Sequence, residues 1–89
     1  MDDKKLIYNV EYTDTYDGEA NYSWVRRASF KASASLSDRE IVRRAKKEIN
    51  LTGVRCKRND WGEMIELRPY GSATVMFITY EEAFEIQPA

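Results

Sequence analysis

The chain has 89 residues, enough for one domain around one core and too few for two. It is 43% hydrophobic, too apolar for a disordered tail, and its 14 basic and 15 acidic residues leave a net charge of −1, which argues against a general binder of nucleic acid or membrane surfaces. With no histidine and a single cysteine, Cys56, His-based acid–base and nucleophilic schemes, most metal chemistry and any internal disulfide are excluded.

One domain is expected over 1–89, with residues 1–4 and 85–89 as tails. Met1-Asp2-Asp3-Lys4-Lys5 leads into an alternating stretch and not into a continuous apolar leader, so no export signal is read. The strongest apolar run, Ala73 to Tyr80, is too short to span a bilayer. A lone thiol suits a reducing interior, which places the chain in the cytoplasm.

Leu6, Tyr8, Val10 and Tyr12 alternate with Ile7, Asn9, Glu11 and Thr13, the period of a strand with one face on a core. Turn formers crowd residues 14–21, and Asp17-Gly18 supplies the positive-φ step that closes a hairpin. A second strand follows from Tyr22 to Ala34. Tyr22, Trp24, Ala28, Phe30, Ala32 and Ala34 share its apolar face, and Arg26 interrupts that face, so a bulge shifts the phase there or Arg26 reaches to a rim.

Ser37-Asp38-Arg39-Glu40 has the capping-box pattern, in which Ser37 accepts from the Glu40 amide and the Glu40 carboxylate reaches back to the Ser37 amide. The helix that follows carries a narrow stripe of Ile41, Val42, Ala45 and Ile49 and stops at Gly53 in a left-handed conformation. Val54 to Arg58 is a short third strand, Asn59-Asp60-Trp61-Gly62 a turn, Met64 to Arg68 a fourth strand, and residues 69–72 another turn. Ala73 to Tyr80 is apolar on both faces and reads as the central strand. Residues 81–89 read as a short acidic helix or a docked tail. The order is ββαβββ, an α+β fold with an antiparallel sheet of about five strands and one helix on one face.

The balanced charge is unevenly spread. Residues 1–21 are net −4, residues 22–58 net +8 and residues 59–89 net −5. Arg39, Arg43, Arg44, Lys46 and Lys47 cover the helix away from its apolar stripe. They form either a basic face for phosphate or the ordinary polar outside of a surface helix, with Glu48 pairing with Arg44 at i+4. Asp14, Asp17 and Glu19 lack the ligand alternation of a calcium loop, so neither metal nor any other cofactor is expected. Beside Tyr16 and Tyr22 they instead make an acidic, aromatic tip suited to a protein interface, and Trp61, in a turn where packing does not require it, is a further anchor. Tyr8, Tyr12, Tyr22 and Trp24 read as core and not as a stacking platform, and Cys56 as a buried structural thiol with no base to activate it.

Three stretches carry a resemblance: the run from Asp14 to Arg27 with its EANYSWVRR segment, Leu51-Thr52-Gly53-Val54-Arg55-Cys56, and Met64-Ile65-Glu66-Leu67-Arg68-Pro69. Together they resemble a family of small uncharacterised bacteriophage and prophage proteins. The resemblance implies a phage setting in the cytoplasm of a host cell and supplies no catalytic or ligand residues.

Two functions follow as expectations. The first is a non-enzymatic interaction protein that binds and modulates a host protein complex, as an anti-CRISPR-like anti-defence inhibitor would, through Asp14, Tyr16, Asp17, Glu19 and Trp61. The second is a small nucleic-acid-binding or phage regulatory protein using Arg39, Arg43, Arg44, Lys46 and Lys47. Homodimerisation through an open sheet edge is compatible with both.

Overall fold

The structure, a computed structural model, describes residues 4–82. Of the tails expected over 1–4 and 85–89, residues 1–3 and 85–89 lie outside the described residues; so do residues 83–89 of the acidic helix or docked tail expected over 81–89, whereas Glu81 and Glu82 continue the last strand. The elements follow in the order β1 (Lys5–Tyr16), β2 (Glu19–Ser33), α1 (Asp38–Glu48), β3 (Cys56–Asp60), β4 (Met64–Pro69) and β5 (Thr74–Glu82). All strand pairs are antiparallel, in the spatial order β2-β1-β5-β4-β3. The α+β class, the ββαβββ order and the central place of the last strand are thus as the sequence pattern requires. No helix among the described residues is long and apolar enough to cross a membrane.

The alternation read in the sequence becomes two unlike sheet faces. Tyr8, Val10, Tyr12, Phe30, Ala32, Leu67, Met76 and Ile78 form the covered face, which α1 closes with Ile41, Ala45 and Ile49; Val42 packs at the margin. The Tyr8 and Phe30 rings stack at 5.4 Å across the β1–β2 pair. Asn9, Glu11, Arg27, Ser29, Phe77 and Thr79 occupy the opposite face, which α1 leaves open. Burial and a raised thiol pKa agree with Cys56 as a half-buried residue packed on the core, its shift caused by desolvation.

Several local expectations are corrected. Ser37 accepts from the Glu40 amide at 3.2 Å, yet the Glu40 carboxylate binds Arg43 at 2.6 Å, so only half of the capping box forms. The helix ends earlier than Gly53, in a Schellman arrangement: Leu51 N–H donates to Lys46 C=O at 2.7 Å and Asn50 N–H to Lys47 C=O at 3.2 Å, with Asn50 at φ 65° as the left-handed residue. Gly53, at φ 82°, serves the next turn. Both hairpin strands run further than predicted, and only Asp17 and Gly18, both at positive φ, remain as the turn between Tyr16 and Glu19. β3 begins later than predicted, at Cys56.

The phase question at Arg26 resolves in favour of the rim. Pairing is regular through Tyr12↔Arg26 and Thr13↔Val25, and the register shift comes only afterwards, between Thr13 and Thr15. Arg26 therefore sits on the helix side with its side chain exposed. Tyr22, at φ 56°, is turned to the open face, where its hydroxyl donates to Glu11 at 2.8 Å. Tyr22 and Trp24 are 50% and 41% exposed, so the core role expected of four aromatics holds for Tyr8 and Tyr12 alone. The outer strands of the sheet are β2 and β3, and Arg26, Arg27 and Lys31 on β2 are the kind of charge that guards an edge against pairing.

Candidate functional site

The distal part of the β1–β2 hairpin is held by side-chain chemistry more than by the ladder. At the register shift Asp14 accepts from the Ser23 hydroxyl, from the Ser23 amide at 3.0 Å and from Asn21 Nδ2 at 3.0 Å. The Thr13 hydroxyl, fully buried, donates to the Trp24 carbonyl at 2.7 Å. Further out, Arg68 Nη1 donates to the Gly18 carbonyl at 2.9 Å, so the tip turns over the open face of the sheet toward β4. Arg68 Nε also donates at 2.8 Å to Glu66, which Asn59 Nδ2 bonds at 3.2 Å. Arg68, and to a lesser degree Asn59 and Trp61, hold the Glu66 carboxyl below the ordinary range against the opposing effect of its burial.

This frame sorts the expected site residues. Asp14 is turned into the hairpin as an acceptor, and the hydroxyl of Ser23, then Asn21, bring its pKa down to about 2. Its role is to shape the loop. Asp17 and Glu19 remain exposed and form no ion pair among the described residues, and Tyr16 is 76% exposed beside them. Trp61 is 63% exposed, as expected of an anchor. The antiparallel register nevertheless puts it at the opposite end of the sheet from Tyr16, because β4 runs parallel in direction to β1 and Trp61 precedes its start while Tyr16 ends β1. The aromatic that shares an end with the tip is Tyr70, which follows Pro69 at the finish of β4 and is 65% exposed. Sequence reasoning passed it over as a turn residue; the signal was its place between Pro69 and Gly71, where a large ring has no strand face to occupy.

The expected basic face is divided by its local contacts. Arg43 pairs with Glu40 at 2.6 Å. Lys46 Nζ donates to the Val54 carbonyl at 2.7 Å, tying the helix end to the chain that follows. Arg44 lies over the Phe30 ring at 4.8 Å, in place of the expected pair with Glu48. Arg39, Arg44 and Lys47 form no ion pair or side-chain hydrogen bond among the described residues, and of these three only Arg44 has an aromatic contact. Across segments, the basic middle meets the acidic flanks at Arg27–Glu11 and Arg58–Asp60, 3.1 and 3.0 Å, while the tip carboxylates stay uncompensated.

Asp14 gives a measurable consequence. Its folded pKa is depressed, so the stability it contributes is fully present above its unfolded pKa, about 3.9, and is lost as pH falls through about 2. Thermal melts of Asp14→Asn should lie below those of the native chain at neutral pH and converge with them between about pH 4 and 2. A gap that stays constant across that window shows the carboxylate charge to be irrelevant to the loop.

No family model matches the chain, and no curated protein and no solved structure matches it.

Proposed function

We propose that the chain is a small non-enzymatic interaction protein of phage type, acting in the host cytoplasm, that binds a basic surface of a host protein complex and so blocks it, as an anti-CRISPR-like anti-defence inhibitor does. The observation that supports this reading is the hairpin end: Asp17 and Glu19 exposed without an ion pair among the described residues, next to Tyr16 at 76% exposure and at the same end of the sheet as Tyr70 at 65%. Side chains of this kind supply rigid apolar area beside charge, the makings of an interface hot spot. The Asp14 network and the Arg68 bond to Gly18 hold the tip in one shape before binding, which lowers the ordering cost of association. Nucleic-acid channels of defence enzymes are basic for the same reason that nucleic acid binds them, so an acidic tip competes for them directly.

The test is capture of a host complex from lysate by the native chain and by Asp17→Lys/Glu19→Lys. It is followed by measurement of whether the purified complex loses its nucleic-acid binding when the chain is added. The native chain should capture and inhibit, and the charge reversal should weaken both by about 100-fold, the scale of losing two interfacial charges. Equal capture by the two forms removes the hairpin from the interface. Salt-sensitive binding of the chain itself to DNA or RNA, lost in Arg39→Glu/Lys47→Glu, identifies the helix face as the functional surface and overturns the reading.

A further inference from the structure

A groove on the covered side of the sheet, at the end opposite the hairpin tip, has no part in the reading above. It lies where the start of α1 meets β4, β5 and the β3–β4 turn, and it has a volume of about 260 Å³. Its floor is core: Ile41 and Ile78 are each 2% exposed and Tyr8 is 7% exposed. Leu36 and Tyr80 stand at its mouth, 37% and 48% exposed. The volume is below the range of about 300–1,000 Å³ usual for small-molecule sites and suits a single large side chain.

The charge around this apolar floor is predominantly acidic. Asp38, Asp60 and Glu63 line the groove, and no Lys or Arg among the described residues does. Arg58 bonds Asp38 and Asp60, each at 3.0 Å, which fixes two carboxylates at the rim and offsets one of them. Glu63 is exposed and has no ion pair among the described residues. Carboxylates around a low-dielectric concavity focus a negative potential on whatever enters it.

We infer that this groove is a second docking site, for a protein segment that inserts one large apolar side chain and sets lysine or arginine on either side of it. The apolar floor takes the side chain and the rim carboxylates take the flanking cations. The two sites lie at opposite ends of the sheet, so a partner can engage both only by spanning it.

The experiment follows backbone amide shifts of the isotope-labelled full chain on titration with the capped peptide KRFKR, with EEFEE and KRGKR as controls. KRFKR alone should give saturable shifts centred on Leu36, Gly62, Glu63 and Tyr80. Glu63→Lys, on an exposed turn, should keep the native spectrum elsewhere and weaken the peptide by about tenfold. Asp17→Lys/Glu19→Lys should leave the titration unchanged, which separates this site from the hairpin reading. Absent shifts, or equal shifts with either control, overturn the proposal. So do dilution-dependent shifts without peptide, which make the occupant a second copy, and contacts from Phe84 or Ile86 to Ile78 in the free chain, which make it the chain's own C-terminal residues.

Discussion

Arg68→Ala should be among the most damaging single substitutions, lowering stability by about 2–3 kcal/mol. The arginine has two tasks. It pairs with Glu66, whose side chain is 11% exposed, and it holds the hairpin tip through the Gly18 carbonyl. Removing it leaves a nearly buried carboxylate with only the weaker support of Asn59 and Trp61, and the cost falls short of a fully buried pair because Arg68 is itself 35% exposed. The pH dependence distinguishes this cause from simple loss of packing. The folded pKa of Glu66 is depressed, so its contribution is present above the ordinary Glu range and disappears as pH falls below it. In Arg68→Ala that acid limb should flatten, and Glu66→Gln/Arg68→Ala should recover part of the lost stability, measured by denaturant midpoints across pH. A double mutant no more stable than the single shows that the unpaired charge is not the source of the loss. The substitution also frees the tip, so partner capture should fall alongside stability even at temperatures where the fold persists.

Ile78→Ala should cost more, about 3 kcal/mol within the usual range of about 2–5 for large-to-small changes in a core. Ile78 is 2% exposed on the central strand, opposite Val10 on one side and Ile65 on the other, with α1 above. Every neighbour is fixed by the sheet or by the helix, so the void has little freedom to close. For a domain of this size, that loss is a large share of a total of about 5–10 kcal/mol, and the melting temperature should fall by about 12–24 °C. The denaturant midpoint should move with an unchanged slope, since the surface exposed on unfolding is the same. A drop under about 1 kcal/mol indicates that α1 settles into the gap, and the helix is then less firmly seated than the burial of Ile41, Ala45 and Ile49 implies.

Much of this molecule was legible in its sequence because the signals are local. Alternation from Leu6 to Tyr12, the Ser37 cap, the Ile41, Ala45 and Ile49 stripe, and the double-sided apolar run after Ala73 each reflect a backbone period that needs no distant partner to be read. The exposure of Tyr16, Asp17 and Glu19 was legible too, since a two-residue Asp-Gly turn leaves its neighbours in solvent.

The site was legible only in part. Asp14 looks like Asp17 in one dimension. It becomes an internal acceptor only because the register shift after Thr13 brings Asn21 and Ser23 back onto it. Trp61 and Tyr16 look like companions until antiparallel pairing sends them to opposite ends of the sheet and brings Tyr70 in their place.

Composition and period alone therefore determined that this is one α+β domain with a helix over a five-stranded sheet and a net charge near zero made of unlike segments. Only the tertiary structure decided which of the distant charges meet. Arg27 finds Glu11 across the β1–β2 ladder and Arg58 finds Asp38 at the start of α1. Arg58–Asp60 and Arg68–Glu66 join residues two apart on one strand face, and Asp17, Glu19 and Glu63 are left facing solvent at the two ends. The physical reason is range. Backbone periodicity is set by neighbours a few residues apart, but a charge is cancelled or left free by whatever the fold places within a few ångströms of it.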